Sequence, residues 1–193
     1  TTTGTTAGNY TVVVTDAQGC ESAPATGILT VNALPAATVN SEAICDGDPA
    51  ATFTATSATA VSWLWSANGS GTAQTTTGTT AGNYTVVVTD AQGCESAPAT
   101  GILTVNALPT AVISDSTNPN CPLDSNGNAT VLASGGTPGY NYLWSGGLGP
   151  TLPTVSGLTA GTYSVTVTDD NGCESTISVT LEDPDAISAS IDA

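Results

Sequence analysis

The sequence contains no lysine, no arginine, no histidine and no methionine. Its 16 acidic residues therefore have no cationic side chain to pair with, and the formal net charge is -16. Nothing in the chain could neutralise a phosphate backbone, so nucleic acid is excluded as a partner. Anionic lipid surfaces are excluded by the same balance. The usual bases for a serine or cysteine nucleophile are missing. So is the lysine that phosphate loops require. Zinc would find neither histidine nor a Cys-x-x-Cys spacing. No apolar run approaches the roughly 20 residues of a membrane span, and no direct membrane insertion is expected. Together these absences point away from an enzyme. The carboxylates that remain, Asp169-Asp170 on a turn and Glu182, Asp183 and Asp185 near a repeat junction, are expected to face solvent. Divalent cations are their natural counter-ions. Calcium at the junction acids is the sharper reading, and plain solubility from surface charge is the blander one.

Aromatic residues make up only 5% of the chain, yet a hydrophobic fraction of 39% can still build small cores. What dominates is repetition. Thr1 to Pro35 recurs unchanged as Thr75 to Pro109, a displacement of 74 positions. A diverged third copy follows, in which Ala160-Gly161-Thr162-Tyr163 matches Ala7-Gly8-Asn9-Tyr10 and Gly172-Cys173-Glu174-Ser175 matches Gly19-Cys20-Glu21-Ser22. A period this long exceeds solenoid repeats and implies self-standing domains. The frame sets residues 1–34 as the C-terminal part of one repeat, 35–108 and 109–183 as complete repeats, and 184–193 as the first strand of another. Because the chain begins and ends in mid-pattern, it reads as an internal piece of a longer protein.

Within each repeat, Tyr84, Val86 and Val88 alternate with polar neighbours, as do Tyr163, Val165 and Val167. That period of two marks strands with one buried face. Trp63 and Trp65 share one face, and Tyr142 and Trp144 hold the same places one repeat on. Trp63, Trp65, Trp144, Tyr84 and Tyr163 are the expected core aromatics. No segment shows a helical period, and Asp169 to Gly172 reads as a hairpin turn. Short strands and frequent turns predict an all-β fold of tandem immunoglobulin-like β-sandwich domains arranged end to end. Tyr163, with Tyr10 and Tyr84 at the same place, fits the tyrosine corner of such sandwiches.

Each complete repeat carries two cysteines flanking its tryptophan: Cys45 and Cys94, then Cys121 and Cys173. Pairing within repeats predicts Cys45–Cys94 and Cys121–Cys173, with Cys20 unpaired here. Pairing across repeats, Cys20 with Cys45 and Cys94 with Cys121, also fits the count. The Cα separation of roughly 4.4–6.8 Å that a disulfide needs favours the first scheme in an end-to-end array. Disulfides imply an oxidising compartment.

The stretch from Asn118 to Leu181 resembles the SprB-type repeats of Bacteroidota gliding-motility adhesins. Cys121, Asn126-Gly127, Ala133 to Pro138, Tyr142 to Ser145, Gly157 to Tyr163 and Thr168 to Cys173 carry that likeness. Residues 1–108 resemble the looser Ig-like and PKD-like repeats found beside them. The resemblance implies a long extracellular cell-surface filament, exported by the type IX system and used in gliding and attachment. It offers no catalytic residues and no cofactor. Its implied partners are neighbouring repeats of the same chain, with surface polysaccharide or other filament subunits as further candidates. The alternative is a carbohydrate- or calcium-binding module of a secreted multidomain protein. Asn9, Asn68, Asn83 and Asn128 stand in Asn-x-Ser/Thr sequons, and Asp115-Ser116-Thr117 resembles a Bacteroidota O-glycosylation motif.

Overall fold

The computed structural model describes residues 3–147 and 152–185. The strand expected within 184–193 thus lies largely outside the described residues. Gly8–Val12 (β1) and Ala25–Leu29 (β2) form an antiparallel hairpin with Gly8 opposite Leu29 and Val12 opposite Ala25.

The first complete repeat supplies Thr38–Val39 (β3), Glu42–Cys45 (β4), Ala51–Thr56 (β5), Ala60–Ala67 (β6), Thr75–Gly78 (β7), Gly82–Asp90 (β8) and Ala99–Asn106 (β9). They order as β3-β5-β7 in one sheet and β4-β9-β8-β6 in the other. The opening strand therefore switches sheets. β3 pairs antiparallel with β5, and β4 then runs parallel to β9, Glu42 opposite Leu103 and Cys45 opposite Asn106. Gly101 makes the switch possible: a side-chain carbon there would fall 2.0 Å from the Asn40 carbonyl oxygen.

The second complete repeat supplies Pro109–Thr117 (β10), Gly127–Gly135 (β11), Asn141–Trp144 (β12), Thr154–Leu158 (β13), Gly161–Thr168 (β14) and Glu174–Leu181 (β15). Its sheets are β10-β11-β13 and β12-β14-β15, all pairings antiparallel. Neighbours out of sequence order in both sheets give the Greek-key sandwich of immunoglobulin-like domains. No α-helix occurs among the described residues. The chain is all-β, in tandem immunoglobulin-like sandwiches.

The chain folds as two compact units. One comprises Thr1–Ser41, Thr52–Thr77 and Asn83–Ile102, the other Glu42–Ala51, Gly78–Gly82 and Leu103–Ala193. In the first, Phe53 stacks on Tyr84 with ring centroids 4.0 Å apart and planes 8° from parallel. Ala55, Trp65, Val86 and Val88 complete that buried set. The Trp65 indole N–H donates to the Ala73 carbonyl at 2.9 Å, so its one polar atom is satisfied. In the second unit Ala129, Val131, Trp144, Val155, Leu158, Val165, Val167 and Leu181 form the core. Trp144 donates to the Leu152 carbonyl at 3.2 Å, the counterpart of the Trp65 bond.

Two of the expected core aromatics are only half-buried. Trp63 shares a face with Trp65, but a bulge between Ala60 and Ser62 disturbs the start of β6. Such irregularities twist a strand and re-aim its side chains. The Trp63 indole N–H is itself buried and finds no partner. Tyr163 keeps its hydroxyl outward, donating to the Thr159 carbonyl at 3.0 Å, while Tyr10 donates to Thr6 at 2.7 Å. Those bonds, four residues back along the chain, are the tyrosine-corner geometry.

Identical sequence meets two environments here. Val86 and Val88 are fully buried, whereas Val12 and Val14, their exact-copy counterparts, are 53% and 64% exposed. The β1–β2 hairpin is a two-stranded sheet by itself among the described residues. Burial at these positions is thus set by the facing sheet and not by the local sequence.

Candidate functional site: the turn and hairpin cysteines

Three hairpins share one construction, written Asp-x-x-Gly-Cys. Asp16 Oδ1 accepts from the backbone N–H groups of Gln18 and Cys20, each at 2.9 Å. Asp90 Oδ1 accepts from Gln92 and Cys94, again at 2.9 Å each. Asp169 Oδ1 accepts from Asn171 at 3.0 Å and Cys173 at 2.9 Å. The glycine before each cysteine is left-handed, with φ of 86° at Gly19, 80° at Gly93 and 82° at Gly172. Carboxylates favour such local bonds to backbone N–H groups two residues on. The aspartate thereby fixes where each hairpin cysteine stands.

Asp169 does more. Its second oxygen, Oδ2, accepts from the Thr137 N–H at 2.8 Å. Gly136 lets that carboxylate in: an added side-chain carbon would lie 2.5 Å from Asp169 Oδ2 and 3.0 Å from the Pro109 nitrogen. The Thr137 bond, with lesser help from Cys173, Asn171 and Gly172, holds the Asp169 carboxyl below its ordinary range against the opposing effect of desolvation.

The other two cysteines open a second kind of turn. Asp48 N–H donates to the Cys45 carbonyl at 3.1 Å, and Asp124 N–H donates to the Cys121 carbonyl at 3.0 Å. The third position is left-handed in both turns, with φ of 89° at Gly47 and 68° at Leu123. Cys45 and Cys121 are therefore equivalent turn cysteines. Cys20, Cys94 and Cys173 are equivalent hairpin cysteines.

The bond observed joins one of each kind. Cys45 and Cys173 form a disulfide with Cα atoms 5.5 Å apart and a sequence separation of 128. Both belong to the second compact unit. Cys20, Cys94 and Cys121 are free thiols. This corrects the within-repeat pairing, and strand length explains why. Cys45 stands opposite Asn106, the last residue of β9, while Cys94 precedes Ala99, its first. An eight-residue strand spans roughly 23 Å, far beyond disulfide reach. Cys173 and Cys121 are separated likewise. Cys173 precedes Glu174 at the start of β15, whereas Glu182, just past its end, donates its N–H to Asn118 Oδ1 at 3.1 Å. The cross-repeat alternative is corrected too, since it paired Cys45 with Cys20 and left Cys173 over.

Beside the disulfide lies a cavity of about 340 Å³ lined by Asp46, Gly47, Asp48, Leu108, Gly172 and Glu174. Among the described residues no group of three or more Cys, Asp or Glu is placed to hold a metal ion. A second cavity, about 710 Å³, is walled by Val31 to Thr38, Thr56 to Thr59, Asp90 and Gln92. No aromatic ring lines it, so it lacks the stacking platform usual for a sugar. No helix among the described residues is long and apolar enough to cross a membrane.

Comparison with known proteins bears on the second repeat first. Residues 113–149 match the family model described as SprB repeat. No curated protein matches the chain. Among solved structures, a C-terminal fragment of intimin, crystallised with the intimin-binding domain of its translocated receptor, is 14% identical over 78% of this chain. The TM-score is 0.49, and the chain spans 64% of that fragment. Extracellular domains 3–5 of Drosophila OTK are 18% identical over 93% of this chain and 72% of theirs, with a TM-score of 0.47. Titin domains I67–I69 are 14% identical over 93% and 75%, with a TM-score of 0.43. The SprB match, on a chain of immunoglobulin-like repeats, supports an extracellular repeat-domain role.

Proposed function

We propose that this chain is a shaft segment of a long cell-surface adhesin or filament serving gliding motility and surface attachment. The observation that carries the reading is the Cys45–Cys173 bond, which ties one sequence repeat covalently to the next. A catalytic domain gains little from such a tie, whereas a load-bearing series of repeats gains resistance to separation and unfolding. The fixed hairpin aspartates serve the same end by holding each cysteine in place. The all-acidic surface keeps a long chain soluble and apart from its neighbours. No cofactor and no catalytic residue enter this role.

Solution scattering on the oxidised chain tests the shaft. A single globule of this length would have a radius of gyration of about 16 Å. A shaft gives a value well above that, with a maximum dimension on the order of 100 Å from the strand arithmetic of tandem sandwiches. A compact particle refutes the shaft reading. Antibody against the second repeat should label intact, unpermeabilised cells, and labelling only after lysis refutes the surface assignment.

A further inference from the structure

We propose that Cys121 is half of a second disulfide of the Cys45–Cys173 kind, its partner being the hairpin cysteine of a further Asp-x-x-Gly-Cys repeat. By the same rule Cys94 and Cys20 are receiving halves, each suited to the turn cysteine of another repeat. The rule is directional: a turn cysteine reaches forward to the hairpin of the next repeat, and like never pairs with like.

Three observations carry this. First, the bonded pair shows the geometry once: Cys45 opens a turn closed by Asp48, and Cys173 closes a hairpin fixed by Asp169. Second, the free cysteines occupy copies of those two settings. Cys121 opens the matching turn closed by Asp124, and Cys94 sits on the matching hairpin fixed by Asp90. Third, Leu123 is 89% exposed in a left-handed conformation. A leucine held so is strained. Gly47, its counterpart, lines the cavity beside the bonded hairpin together with Gly172 and Glu174. A hairpin docked on the Cys121 turn would lie beside Leu123 in the same way, leaving it exposed as Gly47 is.

The chemistry is thiol–disulfide exchange with a low-molecular-weight disulfide such as oxidised glutathione. The Cys121 thiolate attacks one glutathione sulfur and expels the other glutathione as thiolate. The hairpin thiolate then attacks the Cys121 sulfur of the mixed disulfide and expels the second glutathione. Two cysteine thiols lose two electrons and two protons, and one glutathione disulfide becomes two thiols.

The test lengthens the full chain by a second copy of residues 109–183 placed after Asp183, refolded with oxidised and reduced glutathione. Non-reducing peptide mapping should find Cys45–Cys173 retained and Cys121 joined to the hairpin cysteine of the added copy. The free-thiol count should stay at three, its value in the present chain. Cys121→Ser in the lengthened chain should leave the added hairpin cysteine free. Cys121 remaining a thiol, or joining Cys94 or the added turn cysteine, overturns the proposal. Should the lengthened chain lose Cys45–Cys173 and so misfold, the unreduced native protein decides. Its Cys121 peptide must be linked to an Asp-x-x-Gly-Cys peptide, and a free thiol or a turn-to-turn link there overturns the rule.

Discussion

Gly47 and Leu123 hold the same place in two matching turns, and both adopt the left-handed backbone, with φ of 89° and 68°. Glycine does so at no steric cost, and leucine does not. Leu123 is almost fully exposed, so the turn gives up no packing if the side chain is removed. Leu123→Gly should therefore relieve about 1–2 kcal/mol of strain, less about 0.4–1 kcal/mol for the added freedom of the unfolded state, and so raise stability. Urea unfolding checks it, and an unchanged or lowered midpoint contradicts the assigned strain.

The Cys45–Cys173 bond encloses a long loop and should stabilise strongly. Removing it by Cys45→Ser with Cys173→Ser should lower stability by about 2–5 kcal/mol, while Cys94→Ser should leave the melting temperature of this chain unchanged. Trypsin cannot map the bond because the chain has no lysine or arginine. A protease cutting at acidic residues can. Recovery of a Cys45–Cys94 peptide would contradict the structure.

Acid should act through Asp169. Its carboxyl titrates below the ordinary value of 3.8 when folded. Below that ordinary value the unfolded chain takes up the proton first, so stability falls as pH drops through the folded pKa and is fully present above 3.8. Asp169→Asn keeps one acceptor oxygen but turns an amide toward the Thr137 N–H. The variant should be less stable at neutral pH and should lose less between pH 5 and pH 2 than the parent. Equal acid slopes in the two proteins would refute the assignment.

Strands, sandwich fold and tyrosine corners were legible because they rest on local patterns. Tyr84, Val86 and Val88 alternate inward, and Tyr163 reaches back four residues. The cysteine pairing was not legible, for a topological reason. Six strands running in strict alternation would bring the first turn and the last hairpin of a repeat to one end. In the second repeat, β11 and β13 are antiparallel, and so are β12 and β14. The short link at residues 136–140 reverses the chain from β11 into β12, so β12 and β13 run the same way. Two successive strands with one direction put Cys121 and Cys173 at opposite ends. The half-burial of Trp63 was hidden too, since its alternation with Trp65 is kept and only the depth of burial differs.

Salt should stabilise the protein modestly, because its carboxylates repel one another with no cation to offset them. Calcium and magnesium at equal concentration should raise the melting temperature equally. A rise specific to sub-millimolar calcium, abolished by Asp183→Asn with Asp185→Asn, would instead establish a bound ion at the repeat end.

The Cys45–Cys173 bond also limits how far the molecule can lengthen when its ends are pulled apart. A freed stretch of 128 residues could extend to roughly 420–460 Å. Closed by the bond, that slack is removed from the path between residues 45 and 173, and tension passes directly through sulfur. Load then enters the second repeat at Cys173 and leaves along β15, while the strands from β5 to β14, closed inside the loop, are shielded from it.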